Sequence, residues 1–397
     1  MQALFNQYSL KLSGIGLEYI RPMISFIDES ERLIGIKGTR GVGKTTILLQ
    51  YLKKNDPTIS GEYLYASLDH VWFLENSLYD LASDFQKQGG KFLALDEVHR
   101  YPNWSQELKN IYDDFNDLKV VFTGSSLLQI LNARADLSRR VLVFHMQGLS
   151  FREFLTIESK QQFDVLSLTD IVTHHAKIAS DILNRIKPFA YFNEYLTSGY
   201  YPFYLQSKKY YHDKINEVVN LILEIELPML RKTDISYARK LKQLLLVLSE
   251  SVPFVPNFTK LAERIGLNRK TLLLYIDYLE EAQLIRILNK EAKGITRFQK
   301  PDKLLPDNTN IPYALSKTVD KGTLRETFFV NQLAYQHEIS YPEKGDYKVD
   351  KEYIFEIGGK NKNQSQIAEL NNAYLVLDDI EIGYANKIPL WLFGFLY

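Results

Sequence analysis

Short, nearly continuous apolar runs recur between residues 32 and 145: Leu33 to Ile36, Tyr63 to Ser67, Phe92 to Leu95, Val120 to Phe122 and Val141 to Phe144, separated by stretches of helical pattern. A strand covered on both faces has no polar side to alternate with, so such runs predict a parallel sheet flanked by helices. From about residue 150 the pattern changes. Apolar positions fall at helical spacing in Ile178, Ile182 and Ile186 and again in Val218, Ile222 and Ile225, around a turn at Gly199 to Pro202. Next comes a helical triplet. Leu241 to Leu248 forms one helix, Asn257 caps Phe258 to Ile265, Gly266 ends it, and Asn268 caps a third helix with Leu272, Ile276 and Leu279 on one face. Leu284 to Leu288 and Ile295 to Phe298 follow as the arms of a hairpin, and from Thr309 a mixed α+β pattern runs to an apolar strand at Trp391 to Leu396. Four units result: 1–155, 156–238, 239–303 and 304–397.

Composition narrows the chemistry. The 397 residues include no cysteine and only seven scattered histidines, which excludes disulfides and cysteine-held metals and leaves oxygen ligands for any metal. The 45% hydrophobic content and absence of low-complexity tracts predict an ordered globular chain. The first residues lack an apolar leader, and no run of 18 apolar residues exists, so the expected location is the cytoplasm, with no membrane partner. Net charge is zero, so a preference for a charged partner must be local.

Gly38-Thr39-Arg40-Gly41-Val42-Gly43-Lys44-Thr45 fits G-x-x-x-x-G-K-[ST] between a strand and a helix. Glycines let successive backbone N–H groups wrap an anionic phosphate, and the helix N-terminus, with Thr46 in its first turn, adds partial positive charge. Lys44 is expected to reach the β and γ phosphates of ATP, and Thr45 to offer its hydroxyl to Mg²⁺. The second half of the site should be acidic and at the end of a neighbouring buried strand. Phe92 to Glu97 supplies it: Asp96 for the Mg²⁺ shell and Glu97 to polarise the attacking water. Val120 to Phe122 leads into Thr123, Gly124, Ser125 and Ser126, small hydroxyl residues able to bond the γ-phosphate or lytic water. They can equally be helix caps.

The phosphate loop, Leu95-Asp96-Glu97-Val98-His99 with Pro102-Asn103-Trp104, Thr123-Gly124-Ser125-Ser126, Arg140 ahead of Leu149-Ser150-Phe151-Arg152-Glu153-Phe154, and Gly199-Tyr200-Tyr201-Pro202 together resemble the prokaryotic AAA-type ATPases with a C-terminal region of uncharacterised function. The resemblance implies an α/β P-loop NTPase core, to which the helical spacing of residues 156–238 adds a helical lid or linker. It also implies that Thr123 to Ser126 sense the γ-phosphate and that Arg140, with Arg139 as its rival, completes the site.

Two further resemblances concern the remainder. The helical triplet and hairpin resemble a winged helix-turn-helix, and residues 231–303 hold 15 lysines and arginines against 8 acids, as a DNA-contacting module requires. The outer face of its third helix, with Leu273, Leu274, Tyr275 and Tyr278, suits a protein partner better than base edges. Glu326 on a helix, Asp350 opening a strand and Glu356 six residues later resemble the α+β restriction-endonuclease-like core. Gly358 stands where that core has its water-orienting lysine, with Lys360 two residues on, so a degenerate nuclease used for binding or assembly is expected. The resulting expectation is a slow Mg²⁺-ATP hydrolase acting as a nucleotide-driven switch, with DNA, a second copy or another protein as partner. An ATP-gated DNA nuclease and a non-hydrolysing ATP-binding interaction protein are the alternatives.

Overall fold

The computed structural model describes residues 1–28, 30–124, 137, 139–231, 236–250, 257–290 and 301–397. The chain forms two compact units, Met1–Gly148 and Leu149–Tyr397.

In the first unit the five apolar runs become β1 (Leu33–Lys37), β2 (Tyr63–Ser67), β3 (Phe92–Asp96), β4 (Lys119–Gly124) and β5 (Leu142–His145). They form one parallel sheet in the order β2-β3-β4-β1-β5. Helices Lys44–Asn55, Leu78–Lys87 and Trp104–Asp114 carry the chain between successive strands. Strands β1 to β4 lack a polar face, with Ile34, Leu64, Leu93, Leu95 and Phe122 all buried, whereas β5, at the sheet edge, is only partly covered and leaves Leu142 exposed. In a parallel sheet every strand ends on one edge. Lys37, Ser67, Asp96, Gly124 and His145 therefore share that edge, with β4 between the strand that feeds the phosphate loop and the strand that ends in Asp96.

The second unit opens with helix Phe151–Ser159, closed by a reciprocal capping box between Ser150 and Glu153. Position 155, expected as a seam, lies inside this helix. The Leu149-to-Phe154 string is an internal tie: the Arg152 guanidinium donates to the main-chain oxygens of Phe163 and Tyr397. Helix Leu168–Leu183 and helix Phe189–Ser198 follow. Then Tyr211–Leu221 runs into a π-helical segment, Ile222–Glu226. The buried face there is Ile215, Val219, Ile222 and Leu223, whereas Ile225 is exposed. The wider π turn shifts the phase that a 3.6-residue period assigned to Val218, Ile222 and Ile225.

Helices Ser236–Glu250, Phe258–Ile265 and Arg269–Glu281 occur as expected, with Asn257 and Asn268 accepting capping bonds from Lys260 and Thr271. Tyr275, assigned to the outer face of the third, is buried. Strand β6 (Ile285–Leu288) pairs antiparallel with β7 (Lys303–Pro306). The hairpin arm expected at Ile295 to Phe298 lies outside the described residues, and the partner strand is β7. Helix Lys321–Leu333 packs on a mixed sheet of β8 (Ile339–Ser340), β9 (Tyr347–Val349), β10 (Tyr353–Gly358), β11 (Ala373–Leu377) and β12 (Lys387–Pro389), ordered β12-β11-β10-β9-β8.

Trp391 to Leu396 is not a strand. Leu390–Phe395 forms a 3₁₀ helix with every residue buried, its Phe393 ring 4.8 Å from that of Phe329 and 5.6 Å from that of Phe355. An unbroken apolar run carries no period, so periodicity cannot separate a strand from a helix enclosed on all sides.

Candidate nucleotide site

The loop from Gly38 to Thr45 leaves β1 and enters helix Lys44–Asn55 at the edge where the strands end. Gly43 is the N-cap at φ 100°, in the left-handed region open to glycine, and offers no side-chain cap. A helix start with no side-chain cap suits an acceptor from outside the chain, which a phosphate can be. Gly38 is required by crowding: a Cβ there would lie 2.2 Å from the Met146 carbonyl oxygen. Arg21 braces the loop from behind, donating to the carbonyls of Val42 at 3.3 Å, Gln147 at 2.7 Å and Gly148 at 2.9 Å. Thr39 and Val42 are buried, Arg40 and Gly41 half-buried, and Thr46 is exposed on the first turn.

Lys44 is buried and folds over the loop, its Nζ donating to the carbonyls of Gly38 and Thr39 at 2.8 Å each. Asp96, buried at the end of β3, accepts from three hydroxyls: Thr45 Oγ1 at 2.7 Å, Tyr65 at 2.8 Å, and Thr123 Oγ1. Burial, reinforced by Asp96, pushes the Tyr65 hydroxyl well above its ordinary pKa, so it remains a donor. Tyr65 and Arg21 escaped sequence reasoning. The available signal for Tyr65 was strand register, since it lies two residues before Ser67, the partner of Asp96.

Thr45 and Asp96 thus bring a hydroxyl and a carboxylate together as neighbouring hard oxygen donors, which suits Mg²⁺ when phosphate and water complete its shell. Among the described residues no group of three His, Cys, Asp or Glu could hold a metal unaided.

Glu97 follows in the left-handed conformation, φ 53° and ψ 40°. That is uncommon for a side chain with a Cβ and turns the residue away from the line of β3. Its N–H donates to Thr123 Oγ1 at 3.4 Å, and its Oε2 lies 3.4 Å from His99 Nε2. Thr123 therefore spends its one proton on Asp96 and links Asp96 to Glu97, rather than pointing that proton at a phosphate. Ser125 and Ser126 lie outside the described residues.

His99 is held neutral. Burial, then the positive charges of Arg100, Lys44 and Arg40, push its pKa down to about 3. The unfolded chain would protonate it near pH 6.5, so folding excludes a proton below that pH and this contribution to stability falls as pH falls toward 3. Between pH 7 and pH 5 the loss should be about 2 kcal/mol. Denaturant unfolding of the full chain at both pH values is expected to show it, and His99→Gln to remove it. An identical pH dependence in the variant would refute the assignment.

Arg140 is not brought to this loop. It makes a two-point contact with Asp113, Nε to Oδ1 at 2.8 Å and Nη2 to Oδ2 at 2.9 Å, which lowers the Asp113 carboxyl below its ordinary range. Arg140 precedes the start of β5, whereas the phosphate loop is at the edge where β5 ends, so the two are separated by roughly 15 Å of strand. Within one chain it cannot complete the site as the resemblance implied. Arg139, its rival, adjoins it in the same turn.

Of the expected carboxylates of the second unit, Glu356 and Glu326 both act, beside Asp346, on the Lys362 ammonium, whereas Asp350 is held elsewhere. Asp350 does not open a strand. It sits in the turn after β9 at φ 52°, accepting from the Glu338 N–H at 3.0 Å and lying 2.7 Å from His337 Nδ1. Glu326 is paired with Lys303 and accepts from the Tyr347 hydroxyl. Glu356, fully buried on β10, lies 2.7 Å from Lys362 Nζ, not from Lys360, which is exposed. Lys362 passes so close over Gly358 that a Cβ there would come within 2.5 Å of its own, so the glycine admits a lysine from outside the strand.

Residues 30–155 match the family model of an AAA domain, and residues 190–305 match a domain of unknown function, DUF8612. An uncharacterized protein of Methanocaldococcus jannaschii is 25% identical over 396 residues, covering 91% of this chain and 82% of the relative. Among solved structures, a Walker-type ATPase of Pyrococcus abyssi is similar at 10% identity and TM-score 0.38, over 72% of this chain and 91% of that one. The Orc1 protein of Aeropyrum pernix in complex with DNA is similar at 14% identity and TM-score 0.30, over 78% and 92%. Scores this low bear on neither fold nor function. The phosphate loop, the five-stranded parallel sheet and the family match together make residues 30–155 an AAA-type, nucleotide-binding P-loop domain of α/β class.

Proposed function

We propose that the chain binds ATP with Mg²⁺ on the loop Gly38 to Thr45 and hydrolyses it slowly, as a nucleotide-driven switch. The observation that supports this reading is the run of hydrogen bonds from the Thr45 hydroxyl through Asp96 and the Thr123 hydroxyl to the Glu97 N–H, at the edge where the strands end. In-line attack on a γ-phosphate needs metal ligands and a proton acceptor within one metal shell of each other. Lys44 supplies ground-state charge, and Glu97 accepts the proton of the attacking water. Mg²⁺ would be held by Thr45 and, through its shell, by Asp96, and it supplies charge neutralisation on the phosphates. Release of phosphate from ATP by the full chain, abolished by chelating Mg²⁺ and restored by adding it back, is the expected result. Tight ATP binding with no Mg²⁺-dependent turnover would leave the non-hydrolysing binder as the correct reading.

The second unit is read as a helical segment, a winged helix-turn-helix at 239–303 and a degenerate nuclease-like domain at 304–397. What supports the last is the neutralisation of its acids: Glu326 by Lys303 in a buried pair, and buried Glu356 by the half-buried Lys362. A carboxylate already compensated by an ammonium group is a poor recruiter of a cation. The basic excess of residues 231–303 supports contact with an anionic polymer such as DNA. Arg269 and Lys270 begin the third helix, whereas Lys293 and Arg297 lie outside the described residues.

A further inference from the structure

Away from the nucleotide site, the C-terminal sheet carries a cavity of about 400 Å³. That is within the usual range for small-ligand sites, roughly 300–1,000 Å³. Its construction follows from strand register. Lys348 of β9 pairs with Ile354 of β10, so alternation puts both on the face opposite Tyr347 and Val349, whose side chains are fully buried. Ile354 and Leu370 rest on the apolar cluster of Ile367, Ala373, Leu375 and Leu377 and give the cavity a fixed, greasy floor. The rim is cationic. Lys344 and Lys348 come from the β8–β9 side. Lys290, just beyond β6, is delivered by a bridge to Tyr341, whose N–H donates to the Asn289 carbonyl at 3.0 Å. The Lys290 ammonium stands 5.8 Å from the centre of the Tyr341 ring, which forms a wall. One acid, Glu343, opposes three lysines.

An apolar floor selects a flat, weakly hydrated group, and a lysine rim selects anions joined to it. Nucleotide units have both. In a duplex the base faces are stacked on one another and only phosphates are offered, whereas an unpaired strand can turn a base onto the floor while its backbone follows the rim. We propose that this cavity binds single-stranded nucleic acid, one base lying on Ile354 and Leu370 and the flanking phosphodiesters meeting Lys290, Lys344 and Lys348. The site is built from residues of the second unit alone, shares none with the phosphate loop and does not include Arg269 or Lys270, and it stands or falls independently of ATP hydrolysis.

The test is fluorescence anisotropy of a labelled twelve-residue oligothymidylate with the full-length chain and no ATP. Three phosphate contacts predict a log–log salt slope of about −2. The double substitution Lys344→Gln, Lys348→Gln is expected to weaken binding about ten-fold or more and to bring the slope close to −0.7. Tyr341→Ala should weaken binding with the slope unchanged, and Lys344→Arg, Lys348→Arg should restore it. Circular dichroism of each variant checks the fold. The proposal is overturned by no binding at low salt, equal binding by the Lys344→Gln, Lys348→Gln protein, equal affinity for a duplex of matched length, or displacement by thymidine monophosphate at concentrations comparable to the oligonucleotide. The last would make this a pocket for a free nucleotide. Loss of binding on Arg269→Gln, Lys270→Gln with the lysine variants intact would move the contact to the helix end and refute the cavity.

Discussion

Replacing Glu97 by Gln is expected to lower the kcat for ATP by about 10²–10⁴-fold while leaving ATP affinity within a few-fold of the unmodified protein. The amide keeps the shape, the left-handed backbone and the reach toward His99, and removes only the proton acceptor. Its loss is therefore felt in the transition state and not in the ground state. Lys44→Ala should do the reverse and act first on binding. Lys44 contributes charge to phosphate oxygens before any bond breaks. Losing two charge-assisted hydrogen bonds, at about 1.5–3 kcal/mol each, corresponds to a loss of affinity of at least about 100-fold. Isothermal titration with ATP and Mg²⁺, beside steady-state phosphate release, separates the two effects. Unchanged turnover in the Glu97→Gln protein would pass the role of base to another group. Unchanged affinity in the Lys44→Ala protein would detach the phosphate loop from nucleotide altogether. Lys44 also clasps Gly38 and Thr39, so a thermal scan of Lys44→Ala, expected to show the fold retained, keeps loss of binding distinct from loss of structure.

The second large effect concerns stability. Lys303 and Glu326 are both nearly excluded from solvent, their side chains 4% and 11% exposed, and the Tyr347 hydroxyl donates to the same carboxylate. Burial raises the Glu326 pKa against the pull of Lys303, so the pair is held by geometry and not by any ease of burying charge. Lys303→Met leaves that carboxylate buried without its counter-ion and should cost about 3–5 kcal/mol. For a unit of this size that is a fall of roughly 10 °C in its unfolding midpoint. Adding Glu326→Leu to Lys303→Met should recover most of the loss, because an apolar pair of similar volume suits a buried site at least as well as ions do. If Mg²⁺ or Mn²⁺ stabilised the unmodified chain through Glu326 and Glu356, these acids would be metal ligands, and the reading of a degenerate nuclease-like domain would be wrong.

What the sequence determined by itself was local. Five β-rich apolar runs marked a doubly covered sheet because burial on both faces removes the polar half of a strand's pattern. The strand–loop–helix setting of Gly38 to Thr45 was legible because its residues are contiguous, and the place of Asp96 and Glu97 because a strand end is also a local feature. The caps Asn257 and Asn268 follow the same logic, since a cap bonds its own helix. Tertiary structure decided whatever depended on a partner far along the chain. Arg140 is near the phosphate-site strings in sequence, but the direction of β5 carries it to the opposite edge, onto Asp113. Tyr65 reaches Asp96 only through sheet register, and Thr123 proved to join Asp96 to Glu97. The acids of the second unit are matched by Lys303 and Lys362, which no spacing rule connects to Glu326 and Glu356. Trp391 to Leu396 became a 3₁₀ helix and β6 found β7, because an apolar run without a period leaves its conformation to whatever encloses it, and a hairpin arm is chosen by register and packing that only the folded chain possesses.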